Sequence, residues 1–283
     1  MNKVKAAYAA VIGGVFVFVV KLIAYAVSNS VALLSDALES IINILASGLM
    51  LFSVEVSKKP PDESHNYGHQ KIEDISRMIE GLFILAAALL IVYTAANRLL
   101  IAPELMKLDL AIGISVAATS LNAGLSWLLL REARATGSAA LEGDAKHLLS
   151  DVISSAAVWV GLFVVWLTGY SFIDSVLAFL IAVLIGKMGV ELMLKSASPL
   201  MEQACKYEEK RIKEVLLLHK YKFIDFHELK TRRVGNQVFA ELHLSVDGTL
   251  SVNEAHELTD HLEEELKSEL PNVNLTIHVE PKK

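Results

Sequence analysis

The sequence has little charge, few aromatic residues and almost no cysteine. Among its 283 residues, charged side chains make up 20% and aromatic ones 7%, whereas hydrophobic residues make up 53%. The single cysteine excludes a disulfide framework and a zinc cluster built from thiolates. A formal net charge of −6 lacks the basic surplus of a nucleic-acid-binding protein. So apolar a composition excludes an ordinary soluble domain and indicates a membrane protein.

Charge is unevenly distributed along the chain. Residues 1–204 hold 31 charged side chains, about 15% of that stretch, whereas residues 205–283 hold 27, about 34%. We therefore predict a membrane domain over residues 1–202, followed by a small soluble domain over residues 203–283.

Apolar stretches in the first domain are long enough to cross a bilayer, which takes about 20 residues. The six stretches are residues 6–28, 31–54, 78–102, 108–130, 145–168 and 172–195. Lys and Arg are concentrated at the N-terminus, in the second and fourth connections and in the tail. By the positive-inside rule, both termini are predicted to be cytoplasmic. We expect the chain to lie in the plasma or inner membrane. The predicted fold is an all-α membrane domain with six transmembrane helices.

Polar and ionisable residues inside two of these spans are conspicuous, because such groups are unfavourable in a bilayer unless they are paired or functional. In each span they are spaced i, i+3 and i+7, which places them on one helix face. The two sets are Asp36, Glu39 and Asn43 in the second span, and Asp144, His147 and Asp151 in the fifth. Oxygen and nitrogen donors without a thiolate favour Zn²⁺, Fe²⁺, Mn²⁺ or Co²⁺. Hydrogen bonding between helices is the alternative, and we favour a metal site.

The connection after the second span holds a further set of potential ligands. Asp62, His65 and His69 follow Pro60–Pro61, which ends the second helix. Three converging ligands leave an open coordination position, as expected of an exchangeable metal site. A solvated loop with two incidental histidines explains the spacing equally well.

The soluble tail is predicted to be a small α+β domain, because its middle segments alternate between apolar and polar residues. Ser251 and Glu254 have the spacing of a capping box at the start of its second helix. The predicted helices cover residues 207–219 and 251–269, and the predicted strands cover residues 222–233, 237–247 and 273–280.

Together these residues resemble the cation diffusion facilitator family, and more closely its bacterial homodimeric zinc and ferrous-iron efflux pumps. The resemblance covers nearly the whole chain. It rests on the segment 32–37 that leads into the second-span set, on Asp62 to Lys71, on Asp144 to Asp151, and on a tail with spaced histidines.

The resemblance implies that the transported metal ion binds inside the membrane at four positions. These are Glu39, Asn43, His147 and Asp151. The fifth-span pair matches the family's pattern, whereas the efflux pumps have aspartate, or histidine and aspartate, at the second-span positions. Harder oxygen donors there favour Mn²⁺ or Fe²⁺. Asp36 and Asp144, one turn away, are expected to orient the ligands or to capture the ion.

Outside the membrane, the resemblance implies a second metal site at Asp62, His65 and His69, and an ion pair between Lys71 and Glu202. In the tail it implies ligands for a pair of metal ions, such as Zn²⁺, that hold two copies of the chain together as a homodimer. These ligands are His227, His243, His256, His278 and Glu280. His219 and His261 have no counterpart in the family, and we interpret them as surface residues.

The sequence thus predicts a transporter, not an enzyme, that exports a divalent transition metal from the cytoplasm in exchange for protons. Exchange follows from ligand chemistry, because ligands bind metal only when they are deprotonated. His147 is expected to exchange the proton, since imidazole titrates near neutral pH. Two alternatives stay open: a metal-gated channel with passive flux, and an intramembrane metalloenzyme, although no HExxH spacing occurs.

Overall fold

The computed structural model of the chain describes residues 3–28, 31–100, 109–168 and 172–282. Within these helices, the side chains of some residues, among them residues 31–39, lie outside the description. By its internal contacts the chain divides into two units, Met1–Ala197 and Ser198–Lys283, and each is described by itself. This division lies just before the boundary predicted after residue 202, which stays a prediction.

Long α-helices make up the first unit. In chain order they are α1 (Lys3–Ser28), α2 (Val31–Val56), α3 (Ile72–Leu100), α4 (Asp109–Thr136), α5 (Ala139–Thr168) and α6 (Phe172–Leu200). Each coincides largely with one predicted apolar stretch, and several extend further. Helix α3 begins at Ile72 instead of residue 78, and α5 begins at Ala139 instead of residue 145. Hydropathy marks the apolar layer, whereas a helix continues through polar residues beyond it.

Length and composition alone identify fewer spans than the six predicted. Within the described residues, Lys3–Ile23 and Ile72–Tyr93 are long and apolar enough to cross a membrane, and Asn43–Val56 is a shorter apolar stretch. The predicted ends at residues 102 and 108 lie outside the described residues. The count of six spans stays a prediction.

Helix α5 is central to the first unit, because it contacts α1, α2, α3 and α4. A core of mostly small side chains joins α1, α2, α4 and α5, and includes Ala6, Met50, Leu129 and Leu141. Helix α2 contacts α1, α3 and α5. The two predicted polar sets therefore lie on neighbouring helices.

Two glycines bring α3 and α6 into close contact. A Cβ added to Gly189 would lie 3.0 Å from the carbonyl oxygen of Gly81 and 3.1 Å from the backbone nitrogen of Leu85. A Cβ on Gly81 would lie 2.7 Å from Cγ of Met193. Small residues let helix backbones approach in this way, which favours packing between membrane helices.

The second unit packs two helices against one three-stranded sheet. Its elements are α7 (Lys206–Leu218), β1 (Asp225–Val234), β2 (Gln237–Val246), α8 (Val252–Glu269) and β3 (Val273–Pro281). The sheet order is β1-β2-β3, with β1 antiparallel and β3 parallel to β2. Strand β1 starts later than predicted, because Lys220–Lys222 forms a 3₁₀ turn. The predicted capping box of α8 at Ser251 and Glu254 is confirmed.

Replacing Gly189 with alanine should lower the stability of the first unit, because the new methyl group would contact the α3 backbone. We expect a loss of about 1–3 kcal/mol, as for other overpacked sites. The measurement is the apparent Tm of the purified protein in detergent. Gly124→Ala is the matched control, since a Cβ on this helical glycine meets nothing within 4 Å. The control should hold or raise the Tm, and an equal Tm for both variants would contradict the packing argument.

Candidate metal centres

Three of the four residues predicted to bind the transported metal lie together between α2 and α5. Nδ2 of Asn43 donates a hydrogen bond to Oδ2 of Asp151 at 2.6 Å, and Oδ1 of Asn43 lies 3.1 Å from Nε2 of His147. Asn43 and His147 are buried, with 7% and 4% of their surface exposed. The amide therefore bridges the imidazole and the carboxylate inside the helix bundle.

The polarity of these contacts fixes where one proton lies. A carbonyl oxygen only accepts, so Nε2 of His147 carries the proton that it shares with Asn43. Reversing the amide would place its oxygen against the Asp151 carboxylate, so the assigned orientation satisfies both contacts. For a metal ion to bind these donors, their hydrogen bonds must be replaced and the Nε2 proton must leave if that nitrogen is the ligand.

The remaining residues of the second-span set are Asp36 and Glu39. Both belong to α2, and Glu39 precedes Asn43 by about one turn. Their side chains lie outside the described residues. Their part in the metal site stays a prediction.

The contacts of Asn43 with His147 and Asp151 form a polar seam between α2 and α5. Asp144 extends this seam by one turn along α5. Its side chain is fully buried, and Oγ of Ser47 donates to its two carboxylate oxygens at 3.0 Å each. Ser47 follows Asn43 by one turn on α2, so the α2–α5 contact is polar over successive turns. Asp144 thus lies one turn from His147, and its part in orienting the ligands or capturing the ion stays a prediction.

One carboxylate near this seam belongs to neither predicted set. Glu80 on α3 is 0% exposed, and neither of its carboxylate oxygens has a hydrogen-bond partner among the described residues. It packs against α5 at Gly143, next to Asp144, where an added Cβ would lie 2.9 Å from its Cγ. The pattern of i, i+3 and i+7 spacing missed Glu80, because it is a single acidic residue near the start of the predicted span 78–102. An isolated acidic residue within an apolar stretch was the available signal.

The predicted loop ligands converge around Asp62. Its Oδ2 lies 3.4 Å from Nε2 of His69, and its Oδ1 lies 3.6 Å from Nδ1 of His65. The two imidazole rings have centroids 4.3 Å apart. Gly68 has φ +82°, a left-handed conformation that glycine adopts readily and that brings the chain back toward Pro61. One ligand atom from each of the three residues falls within 4.8 Å of the others.

Hydrogen bonds stabilise the ionised form of the Asp62 carboxylate, which is the form that binds cations. The hydroxyl of Ser64 and the backbone N–H of His65 donate to its carboxylate, and they lower its pKa to about 2. The carboxylate is therefore ionised throughout the neutral pH range. About half of the Asp62 side chain is exposed, so a cation reaches it directly from solvent.

Strand register in the tail places three histidines in one row. His227 on β1 is opposite His243 on β2, which is opposite His278 on β3. Glu280 follows on β3, and its carboxylate lies 2.9 Å from Nδ1 of His243 and 3.4 Å from Nε2 of His227. Nε2 of His278 lies 3.7 Å from the same carboxylate. Four of the five predicted tail ligands thus meet on one face of the sheet.

The fifth predicted tail ligand, His256, lies on α8. Its Nε2 is 3.4 Å from Asp260, and its side chain is 72% exposed. Among the described residues, the tight group around Glu280 consists of His227 and His243 and does not include His256.

Another group of donors in the tail brings together residues interpreted as surface histidines. Ligand atoms of His219, His261 and Glu265 lie within 4.8 Å of one another. The two rings have centroids 5.1 Å apart and are nearly perpendicular. His261 and Glu265 are spaced i, i+4 on α8, which was the available sequence signal, whereas the contact with His219 depends on how α7 packs against α8.

The predicted ion pair of Lys71 with Glu202 joins the two units and stays a prediction. Within the second unit, Nη1 of Arg232 donates to the Glu202 carboxylate at 3.3 Å. Glu202 has φ 57°, an uncommon conformation for a residue other than glycine.

Comparison with known proteins assigns the family. A model of the cation efflux transmembrane domain matches residues 7–201, and a model of the cation efflux protein cytoplasmic domain matches residues 206–282. The chain belongs to the cation diffusion facilitator family. Membership confirms the predicted resemblance and the fold class, a transmembrane domain followed by a small α+β domain. The chain is an integral membrane transporter that carries out cation efflux, which fits the expectation that it is not an enzyme.

Members of this family match the chain along most of its length. The transporter sll1263 of Synechocystis sp. is 34% identical over 92% of this chain and 84% of its own length. The cation-efflux pump FieF of Shewanella oneidensis is 30% identical over 93% of this chain and 88% of that protein.

A solved structure matches the tail of the chain. The metal-bound C-terminal domain of the CzcD transporter from Thermotoga maritima is 36% identical, covers 26% of this chain and 86% of that domain, and has a TM-score of 0.25.

Replacing Asp62 with asparagine should weaken metal binding in the loop, because both histidines there converge on this carboxylate. We expect a loss in affinity of at least about tenfold, since residues that only orient a ligand already contribute about 10- to 100-fold. Equilibrium dialysis of the full chain against Zn²⁺, followed by elemental analysis, should then find one metal ion fewer per chain. Glu63→Gln alters the neighbouring exposed carboxylate and should leave the count unchanged. An unchanged count for Asp62→Asn would show that the loop does not bind metal.

Proposed function

We propose that this divalent metal cation efflux transporter exports transition-metal ions of the Zn²⁺, Fe²⁺, Mn²⁺ and Co²⁺ class from the cytoplasm in exchange for protons. The observation that carries the proposal is the contact of Asn43 with His147 and Asp151 between α2 and α5. A carboxylate, an imidazole and an amide at this depth are functional groups by default. Glu39, one turn from Asn43, is the fourth proposed ligand.

Exchange with protons follows from the bonding of these groups. The imidazole Nε2 that faces Asn43 carries a proton, and a metal ion binds that nitrogen only after the proton has left. A proton that returns restores the hydrogen bond to Asn43 and removes a ligand from the metal. A doubly protonated His147 would therefore release one proton when Nε2 binds the metal, and the ring would keep its other proton on Nδ1.

Helix movement is proposed to expose this site to either side in turn. In transporters built from packed helices, bundles rock around a binding site near the middle of the membrane. The ligands come from α2 and α5, so a change in the contact between these helices alters the site. Loss of the Asn43 hydrogen bonds on metal binding is the step that would permit such a change.

Metal preference is proposed to depend on α2. Asn43 supplies a neutral amide oxygen, which is a hard donor, and Glu39 supplies a carboxylate on a longer arm than aspartate. Oxygen donors favour Mn²⁺ and Fe²⁺ relative to a set richer in imidazole. The relative from Shewanella oneidensis is itself described as a cation-efflux pump, which supports the class of substrate.

Metal ions in the tail are proposed to hold two copies of the chain together as a homodimer. The row of His227, His243 and His278 with Glu280 offers enough donors for more than one ion. His256 is exposed on α8, so its ring is accessible to a second copy. The family model that matches residues 206–282 is named ZT_dimer, which supports this assembly. The loop group around Asp62 is proposed as an exchangeable site that receives the cation from solvent.

Purified protein in lipid vesicles should move Zn²⁺ or Mn²⁺ faster when the compartment that receives the metal is the more acidic one. Protons then flow down their gradient in the direction opposite to the metal. Asp151→Asn should abolish this flux, because it replaces a charged metal ligand with a neutral one without changing the size of the side chain. Glu55→Gln, at the exposed end of α2, is the control and should transport normally. Metal flux that ignores the pH gradient would reject proton exchange and would favour the passive channel.

A further inference from the structure

Glu80 is a buried ionisable group that the proposed transport site does not use. Its side chain is 0% exposed, and neither carboxylate oxygen has a hydrogen-bond partner among the described residues. Burial of a carboxylate without hydrogen bonds or an opposite charge is strongly unfavourable. Glutamine or leucine at this position would avoid that destabilisation, so the acid requires a compensating group.

The cation one turn earlier on α3 does not compensate Glu80. The guanidinium of Arg77 donates to Asp74 at 2.7 Å and to Glu142 at 3.2 Å. It also donates to the hydroxyl of Ser196 and to the carbonyl oxygen of Lys195. Each of its three nitrogens is therefore used by groups other than Glu80.

Helix packing directs Glu80 toward the polar face of α5. A Cβ added to Gly143 would lie 2.9 Å from Cγ of Glu80, so this glycine makes room for the glutamate side chain beside Asp144. One turn later on α3, the ring of Phe83 lies 6.2 Å from that of His147. The same face of α3 thus runs along the residues proposed to bind metal.

Three carboxylates therefore lie along the faces of α3 and α5 that pack together, and two of them, Glu80 and Asp144, are fully buried. Ser47 donates to Asp144 and Asn43 donates to Asp151, but no described group donates to Glu80. Like charges in a dry interior repel one another, and a divalent cation is the group that would bind all of them favourably. Asn43 contributes no charge, so Glu39 and Asp151 supply the carboxylates of the proposed set, and Glu80 would add a third.

We propose that Glu80 is a ligand of the transported divalent cation, supplied by α3, so that the site draws on three helices. This inference rests on the proposed transport function and extends it. A ligand on α3 also connects metal binding to α6, because Gly81 and Gly189 hold these two helices together.

Replacing Glu80 with glutamine tests the proposal with nearly unchanged side-chain volume. The cation concentration that gives half-maximal flux in vesicles should rise at least about tenfold for Mn²⁺ or Zn²⁺. The increase in Tm on adding the cation should also become smaller, because stabilisation by a ligand depends on its affinity. Ser76→Ala is the matched control, since Ser76 lies one turn away on α3, is buried and carries no charge. An unchanged half-maximal concentration for Glu80→Gln would overturn the proposal.

A rescue variant separates metal binding from a structural role. Asn43→Asp introduced together with Glu80→Gln returns a carboxylate to the site and should recover most of the lost affinity. Glu80→Asp keeps the charge and should bind more tightly than Glu80→Gln. If neither variant differs from Glu80→Gln, then Glu80 acts through packing alone. Flux that needs Asp151 but not Glu80 would reject only this inference, whereas a wild-type chain without flux would reject the proposed function as well.

An independent observation in the tail carries a second inference. Nδ1 of His219 lies 3.1 Å from the carbonyl oxygen of Val215, and a carbonyl only accepts, so Nδ1 carries a proton. In the neutral ring, Nε2 then has a lone pair for a metal, and this arrangement is common among histidine ligands. His261 and Glu265 supply two more donors from α8 within 4.8 Å.

We infer that His219, His261 and Glu265 bind a divalent transition-metal ion at the α7–α8 contact, separately from the histidine row on the sheet. Two imidazoles and a carboxylate form a donor set that suits Zn²⁺ and leaves a position for water. An ion there would join the end of α7 to α8. The tail would then bind metal at its helices as well as at its sheet.

Equilibrium dialysis of the full chain against Zn²⁺ tests this site. His261→Asn should bind one zinc ion fewer per chain than the wild-type protein, and His219→Asn should give the same reduction. Glu264→Gln, the neighbouring exposed residue on α8, should leave the count unchanged. Equal zinc counts for wild-type protein and His261→Asn would overturn the inference.

Discussion

The amide of Asn43 holds an imidazole and a carboxylate of α5 against α2, and the arrangement of the membrane unit depends on this contact. Polar groups in an apolar layer must find partners within the protein, because no water is available there. The contact fixes the rotation of both helices, and Ser47 with Asp144 continues the same seam by one turn. The hydrogen bonds that hold the helices together involve the groups that would bind a metal, so metal binding and helix packing compete directly.

Helix α5 brings the neighbouring features into this seam. It contacts α2 through the polar groups, and it contacts α3 at Gly143, where the lack of a side chain admits Glu80. A bulkier residue at Gly143 would separate α3 from α5 and displace the acid. The positions of Gly143, Glu80 and the polar seam therefore depend on one another.

Much of the fold and part of the site could be predicted from local spacing. Periodicity of 3.6 residues places Asp144, His147 and Asp151 on one face, and alternation along β2 places His243 on the polar face of the sheet. These relations lie within one element, so the sequence carries them directly. Glu80 is different, because its position beside Asp144 depends on how closely α3 and α5 pack. His219 and His261 likewise meet only through the contact between α7 and α8, and no spacing in the sequence contains that contact.

The groups of potential ligands differ in the environment that would control metal binding. The loop group around Asp62 and the tail groups are partly exposed, so their ligands exchange protons and ions with solvent. Asn43 and His147 are buried, so a cation at the proposed transport site would be largely shielded from solvent. This difference suits exchangeable or regulatory binding outside the membrane and coupled transport within it.

Anomalous X-ray scattering from crystals of the full chain grown with Co²⁺ or Zn²⁺ tests the central claim most directly. The account predicts a metal peak between α2 and α5, about 2.0–2.2 Å from donor atoms of His147 and Asp151, with the hydrogen bond from Asn43 to Asp151 replaced. Metal peaks confined to the loop and tail groups, with the Asn43 hydrogen bonds intact, would contradict a transport site at this position.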